Sequence, residues 1–191
     1  MTHFYTSTMA EAPILSLVKA KKQLRVDADN TGEDDLITTY IEVAQVACED
    51  YINRAIGKRN FIMELNAFPT SITFERNYEN DVITKVEYYA PGATALTILA
   101  VDQYKLRNSN IVECFDINFK PVSSAVEMPA TDKRDDAVII TVEQGFTLAQ
   151  CPKPILQAIN LKLSDFYDRR EDREQGNNPA SNNLLRKYRK Y

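Results

Sequence analysis

The chain has 191 residues, 44% of them hydrophobic and 26% charged, with a net charge of −4 at neutral pH. That is the make-up of a globular protein large enough to bury a real core, and its acidic balance argues against a general nucleic-acid binder, which carries a basic face. No run approaches the roughly 18 apolar residues of a membrane span, and one histidine with three scattered cysteines (Cys48, Cys114, Cys151) argues against a structural zinc site.

Residues 1–13 are polar and without a periodic signal, and are expected to form a flexible arm. They lack the basic and apolar regions of a secretory signal, so a cytoplasmic origin is expected. Residues 15–57 are the most strongly patterned stretch. Ser16 is placed to cap a short helix whose Leu17, Ala20 and Leu24 follow at helical spacing. The turn-forming DADNTG, residues 27–32, ends it. Thr31 and Asp34 then form an S/T-x-x-D start signal, and Glu33, Asp34 and Asp35 suit the positive end of a helix dipole. Apolar pairs from Leu36/Ile37 to Ala55/Ile56 predict a long helix of six turns closed by Gly57 as its C′ residue.

From residue 60 the period changes from 3.6 to 2. Phe61, Met63 and Leu65 alternate with Ile62, Glu64 and Asn66, and Ile72 to Phe74 continue beyond Pro69. Residues 82–89 read as a strand, Pro91-Gly92 as a turn and 95–99 as the returning strand. Residues 103–107 and 111–115, joined at Asn108-Ser109-Asn110, read as a hairpin. A polar loop over 120–136 precedes a last strand at 138–142, which runs into Glu143-Gln144-Gly145-Phe146.

Residues 152–174 return to helix, with Pro154 in the first turn, where a missing N–H costs nothing. Ile155, Ile159, Leu163 and Phe166/Tyr167 form its apolar stripe, and 168–174 a charged, solvated end. That stripe is expected to pack on Leu36, Tyr40, Val43 and Ala47. After a break at 176–183 (GNNPASNN), the chain closes on a basic amphipathic tail, Leu184, Leu185, Arg186, Lys187, Tyr188, Arg189, Lys190 and Tyr191. Helices, a β middle and helices again predict an α+β fold, in which N- and C-terminal helices pack as a small bundle around a central antiparallel β insert. One domain over residues 14–175 is expected, with helices at 15–57 and 152–174, the insert at 60–146 and a docking tail at 176–191.

Few residues suggest chemistry. The carboxylate runs at 33–35, 135–136 and 168–174 are neighbours rather than acids set against an apolar wall, so they read as helix starts or solvated surface. There is no G-x-S-x-G, G-x-G-x-x-G or phosphate-binding loop, and the one histidine, His3, is terminal. The cysteines read as small buried thiols. No catalytic residue, cofactor or metal is expected. The first two helices do not suit DNA reading, because their loop is long and the second helix opens on three acids that would meet phosphate.

KKQLRVDADN…EDDLITTYIEVAQVACEDYINRAI resembles the N-terminal helical pair of the head–tail connector (adaptor, head completion) proteins of tailed bacteriophages and prophages. The matching positions are Lys21, Leu24, Arg25, Val26 and Asp27, then Asp34, Asp35, Leu36 and Ile37, then Tyr51 and Arg54. ITKVEYYAPGATALTILAVDQYKLRNSNI resembles the family's strand-and-hairpin phrase, with Ala90-Pro91-Gly92 departing from the usual acid before glycine. Gly145, Phe146, Pro152, Ile155, Ala158, Tyr167, Arg170 and Glu171 resemble its closing phrases, so the likeness runs in order over about residues 14–174. The resemblance implies a structural protein of the virion that forms a ring under the portal, extends the DNA channel and joins head to tail. The implied partners are the portal protein ring, a tail-side stopper or completion protein, further copies of the chain in a homo-oligomeric (dodecameric) ring, and packaged DNA passing without sequence-specific binding; no membrane is involved. An alternative is a small DNA-packaging or regulatory protein that binds nucleic acid directly, which fluorescence anisotropy with duplex DNA would separate. The tail reads as a frayed end, as a portal-docking segment that orders on its partner, or as a phosphate-tracking DNA contact.

Overall fold

The computed structural model describes residues 3–7, 12–68, 71–73, 81–101, 104–107, 111–114, 129–169 and 179–189. The expected turn at 108–110, most of the polar loop before residue 129 and the charged stretch 170–178 lie outside the described residues. The fold is α+β. It divides into two compact units, where one domain over 14–175 is expected from the sequence. Residues 1–10 and 59–145 make a β unit; residues 11–58 and 146–191 make a helical unit. The physical reason is that the β segment, though inserted between helices, closes an apolar core of its own.

In the β unit, β1 (His3–Ser7), β2 (Arg59–Leu65), β8 (Val138–Gln144), β4 (Val82–Tyr89) and β5 (Leu96–Ile98) form one antiparallel sheet in that order. A smaller sheet holds β3 (Ser71–Thr73), β7 (Ile111–Cys114) and β6 (Tyr104–Arg107). Strand alternation sets the core. Phe61, Met63 and Leu65 stand opposite Val142, Ile140 and Val138, and all six are buried. Val86, Leu99 and Phe68 complete the cluster, with the Phe68 and Tyr88 rings tilted at 5.4 Å. β1 corrects the expected flexible arm: residues 3–7 are a strand whose backbone pairs with β2 from Ser7↔Phe61 to His3↔Leu65. Five residues carry little local signal, and this pairing depends on a strand more than fifty residues away.

The helical unit contains α1 (Leu17–Leu24), α2 (Asp34–Ile52), α3 (Lys153–Asp168) and α4 (Pro179–Leu185). α2 and α3 pack along each other, α1 touches both, and α4 packs chiefly on α3. The stripe of α3 is as expected, with Ile155, Ile159 and Leu163 fully buried. The stripe of α2 is not. Its core residues are Ile37, Ile41, Ala44, Cys48 and Ile52, whereas Val43 is 44% exposed. Each apolar pair in that helix offers two registers, and packing chose the second member of all five, rotating the face. Tyr40 keeps a half-buried edge position, stacked on Phe166 at 6.4 Å between ring centres.

Both helix ends also differ from expectation. α2 stops at Ile52, and Asn53, not Gly57, takes the left-handed C-terminal position with φ 53°. Asn tolerates that conformation because its short side chain bonds locally. Ser16 holds the N-cap position of α1 with extended backbone, but its side chain makes no cap hydrogen bond.

Candidate functional site

The first part of the connector-like phrase, from Lys21 to Asp34, builds one loop. Lys21 is only 5% exposed. Its ammonium pairs with Asp34 Oδ1 at 2.5 Å and donates to the carbonyls of Ala28 (3.2 Å) and Asn30 (2.8 Å). Two hydrogen bonds and one ion pair thus compensate the charge of a side chain that is itself largely out of water. Arg25 ends α1 in the left-handed region at φ 60°, and Val26 N–H donates back to Lys21 O. The start of α2 therefore depends on Lys21 holding Asp34, while Thr31 contributes only its backbone carbonyl, which accepts from Asp34 N–H. Glu33 accepts a hydrogen bond from the Tyr167 hydroxyl, tying the loop to α3.

A second polar centre lies inside α2 and was not legible as one in the sequence. Gln45 Oε1 accepts from Ile14 N–H at 2.8 Å, and its amide donates to Glu49 Oε1 at 3.2 Å. The same Glu49 oxygen accepts from Ile56 N–H (2.9 Å) and Gly57 N–H (3.2 Å). Both side chains are buried. Their i, i+4 spacing was visible, but only the fold brings the two loop amides within reach. Next to it the chain re-enters the unit: Phe146 N–H donates to Ile56 O at 2.8 Å.

The tail is more structured than its sequence suggests. Pro179, within the expected break at 176–183, opens α4, and residues Arg186–Tyr188 add a 3-10 turn. Leu185 is 0% exposed, and buried Ser181 donates to Ala158 O of α3 at 3.2 Å. Leu185 therefore belongs to the chain's own core. Leu184 and Tyr188 are half-buried, while Arg186, Lys187 and Arg189 are exposed. Lys187 Nζ lies 4.7 Å from the Tyr188 ring and the Arg189 guanidinium 5.4 Å from that of Tyr51. Lys190 and Tyr191 lie outside the described residues.

Other groups are occupied structurally. In the β unit, Arg134 forms a two-pronged pair with Asp136 (2.5 and 2.8 Å) and lies 3.7 Å over the Tyr89 ring. That guanidinium holds the Asp136 carboxyl below the usual carboxylate range. Burial pushes the thiols of Cys48 and Cys151 up to about 12, which makes them poor nucleophiles at neutral pH. Among the described residues, no group of three or more His, Cys, Asp or Glu is arranged to hold a metal, and no helix is long and apolar enough to cross a membrane. One open groove of about 440 Å³ lies beside α1, lined by Leu15, Leu148 and Leu156 with Lys19, Lys22 and Asn160.

Comparison with known proteins places these features. Residues 14–91 match the model of the phage gp6-like head-tail connector protein family. That span holds both helices of the Lys21 loop, the Gln45–Glu49 centre and β2 to β4. No curated protein matches the chain. Three solved chains share its fold over 100% of its length and 96% of theirs. One is from the neck of an empty gene transfer agent particle computed with C6 symmetry (TM-score 0.73, 19% identity). The others are from the virion of the native particle (0.72, 19%) and from its neck computed with C12 symmetry (0.68, 16%). Residues 14–91 thus resemble the phage gp6-like head–tail connector family, and the whole chain shares its fold with chains from the neck and virion of a gene transfer agent particle.

Proposed function

We propose that this protein is a structural component of the head–tail junction of a phage-like particle, working as a ring rather than as an enzyme. The observation that carries this reading is the coincidence of the connector-family match over 14–91 with a fold shared end to end with neck proteins. The C6 and C12 symmetries of those necks support a closed ring of identical subunits, which needs two different, mutually complementary faces on each chain. The ring sits under the portal, extends the channel through which DNA passes, and offers its far side to a tail-side stopper or completion protein. The exposed bases Arg186, Lys187 and Arg189, with Lys190, Leu184 and Tyr188, are the segment proposed to dock on the portal; its charges suit an acidic partner surface. Deleting the gene is expected to leave DNA-filled heads without tails, and electron microscopy of complemented particles should show the chain in the neck. Normal tailed particles from the deletion strain would overturn the reading.

A further inference from the structure

Helix α1, LVKAKKQL, contains three lysines and no acid; α2 contains five carboxylates and no base. Within the unit, Lys21 pairs with Asp34, and Glu49 is buried against backbone amides. What remains lies on the outer surfaces. On α1, Lys19 and Lys22 stand beside Val18, which is 75% exposed. Neither lysine has a carboxylate partner among the described residues. On α2, residues 35, 39, 42, 43, 46 and 50 follow at helical spacing, so Asp35, Glu42, Val43 and Val46 share one outward face. Val43 and Val46 on it are 44% and 40% exposed.

The two surfaces differ in shape as well as in charge. Lys19 and Lys22 flank the groove whose apolar floor is Leu15, Leu148 and Leu156. Asn160 also lines it, and its Oδ1 is buried without a hydrogen-bond partner. The α2 stripe is convex, apolar at Val43 and Val46 and acidic at Asp35 and Glu42. The first face is a basic, apolar concavity; the second is an acidic, apolar ridge.

We infer that the α1 groove of one copy receives the outward stripe of α2 from a second copy, with Lys19 and Lys22 against Asp35 and Glu42 and with Val43 and Val46 over the leucine floor. Because the two faces are different, the contact is heterologous and propagates from copy to copy. The inference deepens the ring reading above and rests on it only for closure of the ring. It also accounts for exposed valines that α2 does not use in its own core. The weight carried by exposed charges makes the contact sensitive to salt.

Charge reversal with rescue tests this. Sedimentation of the full chain is compared with K19E/K22E, with D35K/E42K and with the fourfold combination, at low and at high salt. Each pair alone is expected to weaken self-association by about tenfold or more, and the combination to recover it. V18D and V46D, both at exposed positions, should weaken it with little change in melting temperature. Association untouched by either pair, no recovery in the fourfold variant while circular dichroism shows it folded, or a parent chain that stays monomeric at all concentrations would each overturn the interface. Particles whose necks contain the reversed variants at normal occupancy would remove the interface but leave the head–tail role standing. Absence of the parent chain from the neck would remove that role and leave the sedimentation result untouched.

Discussion

Lys21 shows how one side chain can decide a loop. With its ammonium shared among Asp34 and two carbonyls, removal leaves the Asp34 carboxylate without its counter-ion and two loop carbonyls without their donor. Lys21→Met keeps the apolar stem, so it isolates the charge; it should destabilise the helical unit by about 3 kcal/mol in urea unfolding. Lys21→Arg should not restore the loss, because a planar fork cannot serve three convergent acceptors. Cys48 carries a pH signature. Its thiol is raised from 9.0 to about 12, first by desolvation and then by Glu49, with Lys162 and a hydrogen bond to Ser181 opposing. A folded value above the unfolded one means that this contribution is complete below pH 9 and is lost as pH rises toward 12. Stability measured across that window should fall less steeply in Cys48→Ala than in the parent.

At the scale of elements, α2 and α3 hold the helical unit through rows of isoleucine and leucine. Leu163→Ala at a fully buried position should cost about 2–5 kcal/mol, whereas Val43→Ala, on the exposed side of α2, should fall within about 0.5 kcal/mol. Equal losses from the two would show that the observed register of α2 is wrong. The tail divides in the same way. Leu185→Ala should lower the melting temperature, since Leu185 fills the core under α4, and so should deletion of residues 179–191. Changing Arg186, Lys187, Arg189 and Lys190 to Glu should leave the melting temperature unchanged but abolish binding to the portal ring. If the substituted chain still binds, the tail has only a structural part.

For the whole molecule, assembly on cue sets the demand. Under the proposed ring role, faces that assemble on cue are small, polar and individually weak, so the isolated chain should be a monomer or small oligomer when dilute and form rings when concentrated. Light scattering across a dilution series checks this; an obligate dimer through a large apolar surface would contradict it. Catalysis is not needed for such a role. Four carboxylates among the described residues are spent on structure: Asp34 on Lys21, Glu33 on Tyr167, Glu49 on two loop amides, Asp136 on Arg134.

The sequence by itself determined the order and kind of most elements, because hydrophobic period is a local property. Strand β4 falls at 82–89 as its alternation requires, the turn at Pro91-Gly92 has Gly92 at φ 72°, and the α3 stripe is buried residue for residue at Ile155, Ile159 and Leu163. The connector-like phrase was legible for the same reason, as a string of residues in order. What the phrase does was decided only in three dimensions. Lys21 reaches Asp34 thirteen positions on, and Glu49 collects amides from a loop beyond its own helix. The rotation of the α2 face, the capture of Leu185 under α4 and the pairing of β1 with β2 were decided there too. Each depends on a partner distant along the chain. Where two neighbouring residues are equally apolar, as at Leu36/Ile37 and Tyr40/Ile41, periodicity is satisfied either way, and only packing against the opposite helix breaks the tie.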